Sequence, residues 1–227
     1  MLTAVIIHVF SDSFNTYGTQ AARPFSEKWI GWNIIHIFDP WIFSAHIIAI
    51  SIWISGLMDP AVLFPWMYGL VIVYYVVRTC QRMILIYKVK KQDRNKETVE
   101  QFTLIPTFHF SVWHVVKKTA DTYYTGEYRN GQLVWLDHIT IMNHPAIEAS
   151  KKHPDIAALL YYSSFACPEI KQHSWGYEVR WIDVRYRYRN KYPFHGVILL
   201  DHDFAPLKSY VGWLNIEKLD RRLDLQT

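Results

Sequence analysis

Two long stretches in the first part of the chain carry no charged residue. Pro40 to Met58 comprises 19 such residues and Pro60 to Val77 comprises 18, with Asp59 between them. As a helix, each stretch is about long enough to cross the roughly 30 Å hydrocarbon core of a bilayer. The pattern therefore predicts two transmembrane helices joined by a short connection. The alternative is two buried helices of a soluble bundle, which usually keep a polar stripe that these stretches lack.

The first residues form a third apolar segment. Residues 1–11 read MLTAVIIHVFS, which is too short to span a bilayer. They have neither the basic start nor the small-residue cleavage site of a signal peptide. We expect them to be the end of a helix whose beginning is absent, so that this part of the fold is a helix stub.

After about residue 98 the pattern changes to short segments rich in β-branched and aromatic residues, separated by turn signals. Strands are predicted at 101–107, 112–119, 122–128, 132–139, 177–188, 192–201 and 207–213, and helices at 154–163 and 216–223. Strands joined by hairpins predict a C-terminal α+β domain with a mostly antiparallel sheet and helices on one face. The predicted organisation is a membrane-embedded region at 1–90, a linker at 91–100 and a soluble domain at 101–227.

The distribution of charged residues along the chain supports this division. Residues 1–90 hold six basic and four acidic side chains, whereas residues 91–227 hold 18 and 16. The net charge of +4 is too small to predict nucleic-acid binding without a clustered basic face. The two cysteines, Cys80 and Cys167, are too few for a disulfide scaffold or a thiolate zinc site.

The positions of lysine and arginine predict the orientation in the membrane. The connection at 57–61 has no basic residue, whereas the opposite ends of the two predicted helices do. Those basic residues are Arg23, Lys28, Arg78, Arg82, Lys88, Lys90 and Lys91. We therefore expect a multi-pass protein of the cell (inner) membrane, with the connection outside and the C-terminal domain in the cytoplasm.

His8 and Asp12 form the most distinctive chemical pair in the sequence. Residues i and i+4 project from the same face of a helix, so an imidazole and a carboxylate can reach one metal ion. A charged residue in an apolar helix is costly and is by default a functional candidate. The alternative is a solvated carboxylate at a helix end beside a core histidine, and one histidine and one aspartate are too few for a catalytic metal site, which needs about three protein ligands.

The residues after this pair make the pattern more specific. Residues 8–26, HVFSDSFNTYGTQAARPFS, with Trp29 and IFDP at 37–40, resemble the YdjM/YfhP-like family of membrane-bound metal-dependent hydrolases. WIDVRYRY at 181–188, YPF at 192–194 and SYVGW at 209–213 resemble the YfhP branch. Family members carry an earlier His-Arg…Thr-His-Ser motif and an Asp-x-Asp segment, which have no match here. The chain is therefore expected to lack the N-terminal part.

The resemblance implies a hydrolase in which His8 and Asp12 are catalytic residues and metal ligands. A divalent metal, with zinc as the expected ion, would activate water near the cytoplasmic face. The residues expected to border the site are Thr16, Tyr17, Gly18, Thr19, Gln20, Arg23 and Asp39. Asp39 has an alternative role as the N-cap of the helix that begins at Pro40. The substrate stays open between lipid-like and phosphoester molecules.

A second hypothesis is a catalytically incomplete, membrane-tethered regulatory or binding module. The family's earlier His-Arg…Thr-His-Ser motif has no match here, which favours this second hypothesis. In it, the cytoplasmic domain would bind a protein partner. Under both hypotheses the lipid bilayer is a partner and no nucleic acid is predicted. The basic stretch at 180–191 leaves two alternatives open: binding of phosphate, lipid headgroups or RNA, or a solvated edge strand guarded by charge.

Overall fold

The computed structural model describes residues 2–93, 98–186 and 192–213. The chain divides into two compact units. The N-terminal unit comprises residues 1–96, 103–115 and 126–135, and the C-terminal unit comprises 97–102, 116–125 and 136–227.

Three helices belong to the N-terminal unit: α1 Leu2–Asp12, α2 Pro40–Ile54 and α3 Pro60–Gln92. Helices α2 and α3 begin in the same way, with an aspartate N-cap before a proline in the first turn. Aspartate accepts hydrogen bonds from the free N–H groups of that turn, and proline has no N–H to leave unpaired. Ala49 of α2 packs with Leu63 and Met67 of α3.

Helix α3 is the one helix in the described part of the chain that is long and apolar enough to cross a membrane. Only 11% of its most apolar 18-residue window is buried, which argues against the core helix of a soluble bundle. It continues to Gln92, beyond the uncharged stretch that ends at Val77 and into the predicted linker at 91–100. Residues 94–97 of that linker lie outside the described residues.

Helix α2 is shorter than the sequence predicts. It has 15 residues, which correspond to about 22 Å at 1.5 Å per residue. The helix ends at Ile54 because Ser55 is its C-cap and Gly56 follows in the left-handed region, at φ +69°. Of the two predicted full-length spans, α3 alone is therefore a clear candidate.

The described residues form two four-stranded antiparallel sheets instead of the single sheet predicted. The first has the order β1 Gln101–Pro106, β2 Trp113–Lys118, β3 Thr122–Arg129, β4 Gln132–Thr140, and its strands contribute to both units. The second has the order β5 Ala166–His173, β6 Gly176–Asp183, β7 Phe194–Leu200, β8 Pro206–Trp213. Asn130-Gly131 forms the turn between β3 and β4, with both residues at positive φ, as the sequence predicts.

Two short helices, α4 Pro145–Ser150 and α5 Pro154–Tyr162, cover one face of the second sheet. Their apolar residues pack against β6 and β7 in one buried cluster. The cluster contains Ala146, Ile147, Ile156, Leu159, Ala166, Val179, Trp181, Ile198 and Leu200. The C-terminal unit therefore has the expected helices on one face of an antiparallel sheet.

Three local differences have local causes. Helix α4 has only six residues and β5 (ACPEIKQH) lacks a regular alternation of apolar and polar positions, so neither was predicted. Strand β6 ends at Asp183 because this carboxylate accepts a hydrogen bond from the backbone N–H of Arg185 and turns the chain. The rest of the predicted strand at 187–188 and the predicted helix at 216–223 lie outside the described residues.

Candidate metal site

The last turns of α1 bring His8 and Asp12 together, as their spacing implies. Nε2 of His8 lies 3.4 Å from Oδ2 of Asp12. The His8 side chain is 77% exposed and that of Asp12 is 37% exposed, so both groups are accessible from outside the helix. An imidazole nitrogen and a carboxylate oxygen are common zinc ligands. The pair therefore offers two donor atoms on one face.

Asn15 is a neighbour of this pair that motif analysis missed. Its Nδ2 donates to Oδ1 of Asp12 over 3.4 Å, and its Oδ1 accepts from the backbone N–H of Gly18 at 2.7 Å. Because the Asn15 side chain is buried, it links the Asp12 carboxylate to the loop that follows α1. The sequence signal for this contact is the position of Asn15 three residues after Asp12, a spacing at which two side chains can meet.

The loop after α1 is closed by a short β-bridge. Thr19 and Ile30 exchange backbone hydrogen bonds of 2.8 and 2.9 Å. Nε2 of Gln20 donates to the carbonyl of Glu27 at 3.0 Å. Gly18 lies at φ +67°, and a Cβ there would collide with the carbonyl oxygen of Ile30. Only glycine therefore fits this turn without strain.

Other predicted border residues lie at different places in this loop. Thr16 is buried at its beginning, and the carbonyl of Tyr17 accepts from the indole N–H of Trp29. Arg23 is exposed and forms an ion pair with Glu27 at 3.7 Å. The described ion pair of Arg23 is thus with its own loop and not with Asp12.

The end of the loop returns to the residues that follow α1, and the end of α1 contacts α3. The backbone N–H of Trp32 donates to the carbonyl of Ser13, and that of Ile34 donates to the carbonyl of Phe14, both at 2.8 Å. The hydroxyl of Ser11 lies within hydrogen-bond distance, 2.8 Å, of the hydroxyl of Tyr75. The end of α1 is therefore held against the middle of α3.

Asp39 caps α2, which confirms the alternative role that the sequence offered. Its Oδ1 accepts from the backbone N–H groups of Trp41 and Ile42 at 3.0 and 3.2 Å. Its Oδ2 accepts from the hydroxyl of Tyr74 at 2.8 Å. Tyr74 and Tyr75 are adjacent on α3, so this helix positions the end of α1 and the start of α2 through neighbouring side chains.

His36 and His46, the two other histidines of residues 1–93, have local partners. Nδ1 of His36 accepts from the backbone N–H of Phe38 at 3.1 Å, and its ring lies 4.2 Å from that of Phe108. Burial lowers the pKa of His36, against smaller opposing effects of the Phe38 backbone and Asp39. His46 is bonded through Nδ1 to the carbonyl of Ile42 in its own helix, at 2.7 Å.

The residues present fit part of a metal site. A catalytic zinc site holds the ion with about three protein ligands and keeps a position open for water. Within the described residues, no group of three histidine, cysteine, aspartate or glutamate side chains is arranged to hold an ion. Among the described residues, His8 and Asp12 therefore offer two of the side chains that such a site would need.

In the described part of the basic stretch at 180–191, Arg180 and Arg185 are each paired with an acidic side chain. Arg180 lies against the buried carboxylate of Glu178, which also lies 3.0 Å from Nε2 of His173. Nη2 of Arg185 donates to the buried Asp183 carboxylate at 2.7 Å. Burial alone would lower the pKa of Arg185, but the hydrogen bonds and charge of Asp183 raise it overall. This pairing favours a structural role for the two arginines.

Three family descriptions match successive parts of the chain. Residues 1–85 match the family described as YdjM inner membrane protein, and residues 96–139 match the YfhP middle domain. Residues 145–223 match the YfhP C-terminal alpha/beta plait domain. These matches cover α1, α2, α3 as far as residue 85 and, apart from Thr140, the strands of both sheets.

A curated relative matches nearly the full length. The chain is 37% identical over 228 residues to a protein of Bacillus subtilis (strain 168) described as "Uncharacterized protein YfhP". The alignment covers 99% of this chain and 69% of the relative. The helices, the sheets and both comparisons agree with the resemblance found in the sequence, and the chain therefore belongs to the YdjM/YfhP-like family of membrane proteins.

Proposed function

We propose that this protein is a membrane-bound metal-dependent hydrolase with His8 and Asp12 as metal ligands. The observation that carries the proposal is the accessible imidazole–carboxylate pair, 3.4 Å apart, at the end of an apolar helix. A divalent ion, zinc in our proposal, would lower the pKa of a bound water and so supply a nucleophile at neutral pH. The substrate class that we propose is a lipid-like molecule or a phosphoester.

The surrounding residues have supporting roles in this proposal. Asn15 donates to Oδ1 of Asp12 and so orients the carboxylate, as hydrogen-bonding neighbours of metal ligands commonly do. The loop closed by Thr19 and Ile30 keeps Asn15 in place, because Asn15 is bonded to the backbone of Gly18. The exposed guanidinium of Arg23 would attract an anionic group of a substrate.

We also propose that α2 crosses the membrane with α3. A helix of about 22 Å is shorter than the average hydrocarbon core, but local thinning of the bilayer accommodates such a mismatch at modest cost. The connection between the helices would then face outward, and the candidate site and the C-terminal unit would face the cytoplasm. The absence of basic residues at 57–61 supports this orientation.

Metal analysis tests the proposed site. Purified full chain in detergent, incubated with Zn²⁺ and then desalted, is expected to retain about one zinc per chain. The double variant His8→Ala/Asp12→Ala should lose it, because both proposed ligands are removed. The matched control His46→Ala/Asp59→Ala also removes one imidazole and one carboxylate, and it should retain the metal. A metal-free wild type, or equal zinc in all three proteins, would contradict the proposal.

A second candidate is the membrane-tethered regulatory or binding module. It is favoured by the finding that the described residues supply only two ligands. In that case the chain would contain no bound zinc, and the His8→Ala/Asp12→Ala variant would behave like the wild type. The same measurement therefore separates the two functions.

A further inference from the structure

Two arginines lie one turn apart on α3, just beyond its uncharged stretch. Arg78 and Arg82 are at positions i and i+4, so their side chains project from the same face of the helix. Only 1% of Arg78 is exposed, and Arg82 is half-buried. Like charges at this spacing destabilise a helix, and burial adds to the cost of an unpaired charge. The two guanidinium groups therefore need a negative charge nearby to offset this cost.

No carboxylate among the described residues forms an ion pair with either of these arginines. Asp39 does not, because its oxygens are bonded to the first turn of α2 and to Tyr74. Arg180 and Arg185 of the C-terminal unit, in contrast, each have an acidic partner. Within the described part of the chain, the two arginines of α3 are thus cations without a protein anion.

The guanidinium of Arg78 is fixed in place but leaves one edge open. Its Nη1 donates to Oε1 of Gln81 at 2.7 Å and to the carbonyl of Phe110 at 2.8 Å. Its Nε is buried and has no hydrogen-bond partner, and its Nη2 forms no bond within the described residues. Nε and Nη2 are the edge with which Arg185 binds both oxygens of Asp183. Such an edge binds a carboxylate or a phosphate through two parallel hydrogen bonds.

Two further buried donors in the same unit lack a partner. The Nε–H of Arg82 is one of them. The other is the indole N–H of Trp113, a fully buried residue at the start of β2. The Trp113 ring lies 4.3 Å from the guanidinium carbon of Arg78, so its N–H belongs to the immediate surroundings of that group. Buried N–H groups are nearly always hydrogen-bonded, and these three donors therefore indicate an acceptor other than the described residues.

We propose that Arg78, Arg82 and Trp113 form a binding site for a phosphate group. The three side chains supply only hydrogen-bond donors, and the two guanidinium charges match the charge of a phosphate dianion. The rings of Phe110 and Trp113 lie over Arg78, at 5.0 and 4.3 Å from its guanidinium carbon. Because Arg78 is thus enclosed by protein, a small water-soluble phosphate fits the site better than a lipid headgroup does.

The position of the site agrees with a soluble ligand. The end of α1 and the start of α2 contact α3 at Tyr75 and Tyr74, and Arg82 lies about 10 Å further along the helix than Tyr75. In the proposed topology this is the cytoplasmic side. The half-buried side chain of Arg82 makes the cluster accessible from there. The phosphate site is separate from the proposed metal ligands and does not rest on them.

Isothermal titration calorimetry of the purified full chain in detergent tests the proposal. The probes are inorganic phosphate and glycerol 3-phosphate, with EDTA present to exclude binding through a metal, and sodium chloride of equal ionic strength is the blank. The wild type is expected to bind one phosphate group per chain. In Arg82→Gln the affinity should fall at least about tenfold, because a charge-assisted hydrogen bond is lost. Arg78→Lys keeps the charge but not the open edge, and it should lose at least as much.

Trp113→Phe keeps the ring but removes the N–H, and it should weaken binding about fivefold. The matched control is Arg129→Gln, because Arg129 is exposed in the same unit and paired with Glu127 at 3.5 Å. It should bind phosphate within about twofold of the wild type. Circular dichroism identifies any variant that fails to fold, and Arg82→Gln removes no hydrogen bond of the described residues.

Three results would each overturn the proposal. They are an absence of saturable phosphate binding by the wild type, an equal loss of affinity in Arg129→Gln, and unchanged affinity in a folded Arg82→Gln variant. Tighter binding of glycerol 3-phosphate than of inorganic phosphate would identify the ligand as an organic phosphate, and the reverse order would identify it as the free anion. Both orders support a phosphate site.

Discussion

At the scale of single residues, the candidate site depends on a few side chains that fix the loop after α1. Asn15 connects the Asp12 carboxylate to the backbone of Gly18. Gly18 in turn occupies a left-handed conformation directly beneath Ile30. The geometry around Asp12 therefore depends on Gly18, six positions further along the chain, although glycine has no side chain that could bind a metal or a substrate.

Gly18→Ala is expected to open this loop. A Cβ in the left-handed region costs about 1–2 kcal/mol, and the collision with the Ile30 carbonyl adds to it. Hydrogen exchange of the backbone N–H groups of Thr19 and Ile30, which form the bridge, should accelerate at least about tenfold. Gly31→Ala is the control, since a Cβ there meets its nearest neighbours at 3.4–3.5 Å, an ordinary contact distance. Equal protection in both variants would show that the turn does not hold the bridge.

Spacing alone predicts part of this residue-level arrangement. The i,i+4 rule places His8 beside Asp12, and the Asp-Pro pair at 39–40 predicts the cap of α2. The hydrogen bond of Asn15 and the ion pair of Arg23 with Glu27 depend on how the loop folds back, which residue types do not encode. For the same reason the sequence predicts the arginines at 180 and 185 as a basic surface, while the fold pairs them with Glu178 and Asp183.

At the scale of secondary-structure elements, the two aspartate caps differ in their surroundings. Asp39 is buried, binds two backbone N–H groups and accepts from Tyr74. Asp59 is exposed, and the described bond of its side chain is to the backbone N–H of Ala61 at 2.7 Å. The sequence presents the two caps as equivalent, but the fold makes Asp39 a contact between helices.

Asp39→Ala should therefore destabilise the protein more than Asp59→Ala does. Loss of a cap costs about 1 kcal/mol, and leaving the partly buried Tyr74 hydroxyl without its acceptor adds about 1–3 kcal/mol. Asp59→Ala should cost about 1 kcal/mol or less. Thermal unfolding of the purified chain in detergent measures both. Asp39→Asn, which keeps a capping oxygen, should fall between wild type and Asp39→Ala, and equal losses in Asp39→Ala and Asp59→Ala would refute the difference.

Element boundaries were predictable where a local signal ends the element. The hairpin between β3 and β4 follows from Asn130-Gly131, and β7 and β8 begin within two residues of their predicted positions. The end of α3 was not predictable from charge. Arg78 ends the uncharged stretch but not the helix, because the carbonyl of Phe110 and the ring of Trp113 receive its guanidinium.

At the scale of the whole molecule, the chain combines an apolar helical unit with an α+β unit of ordinary charge. The family match and α3 indicate association with a membrane. How many times the chain crosses depends on α2, whose length is marginal for a span. Side-chain accessibility from the two sides of the membrane decides this question.

Cysteine labelling in cells tests the proposed topology. The background is Cys80→Ala/Cys167→Ala, in which Ser26, Ser55 or Lys152 is replaced singly by cysteine; all three side chains are exposed. A membrane-impermeant maleimide should label Ser55→Cys in intact cells, and it should label Ser26→Cys and Lys152→Cys only after permeabilisation. Labelling of Ser26→Cys from outside together with Ser55→Cys would show that α2 does not cross. Cys167 itself should react poorly, because burial raises the pKa of its thiol to about 12.

The unbroken course of α3 has a mechanical consequence. From Trp66 to Gln92 the helix is a rod of about 39 Å, and the Gln92 side chain fastens the tip of the β3–β4 hairpin to its far end. Helices tilt to match the thickness of the bilayer around them, and a change of about 10° would displace the end of this rod by about 7 Å. The hairpin has to move with it. If α3 spans the membrane, a change in its tilt would therefore also displace the β3–β4 hairpin, to which the Gln92 amide is bonded.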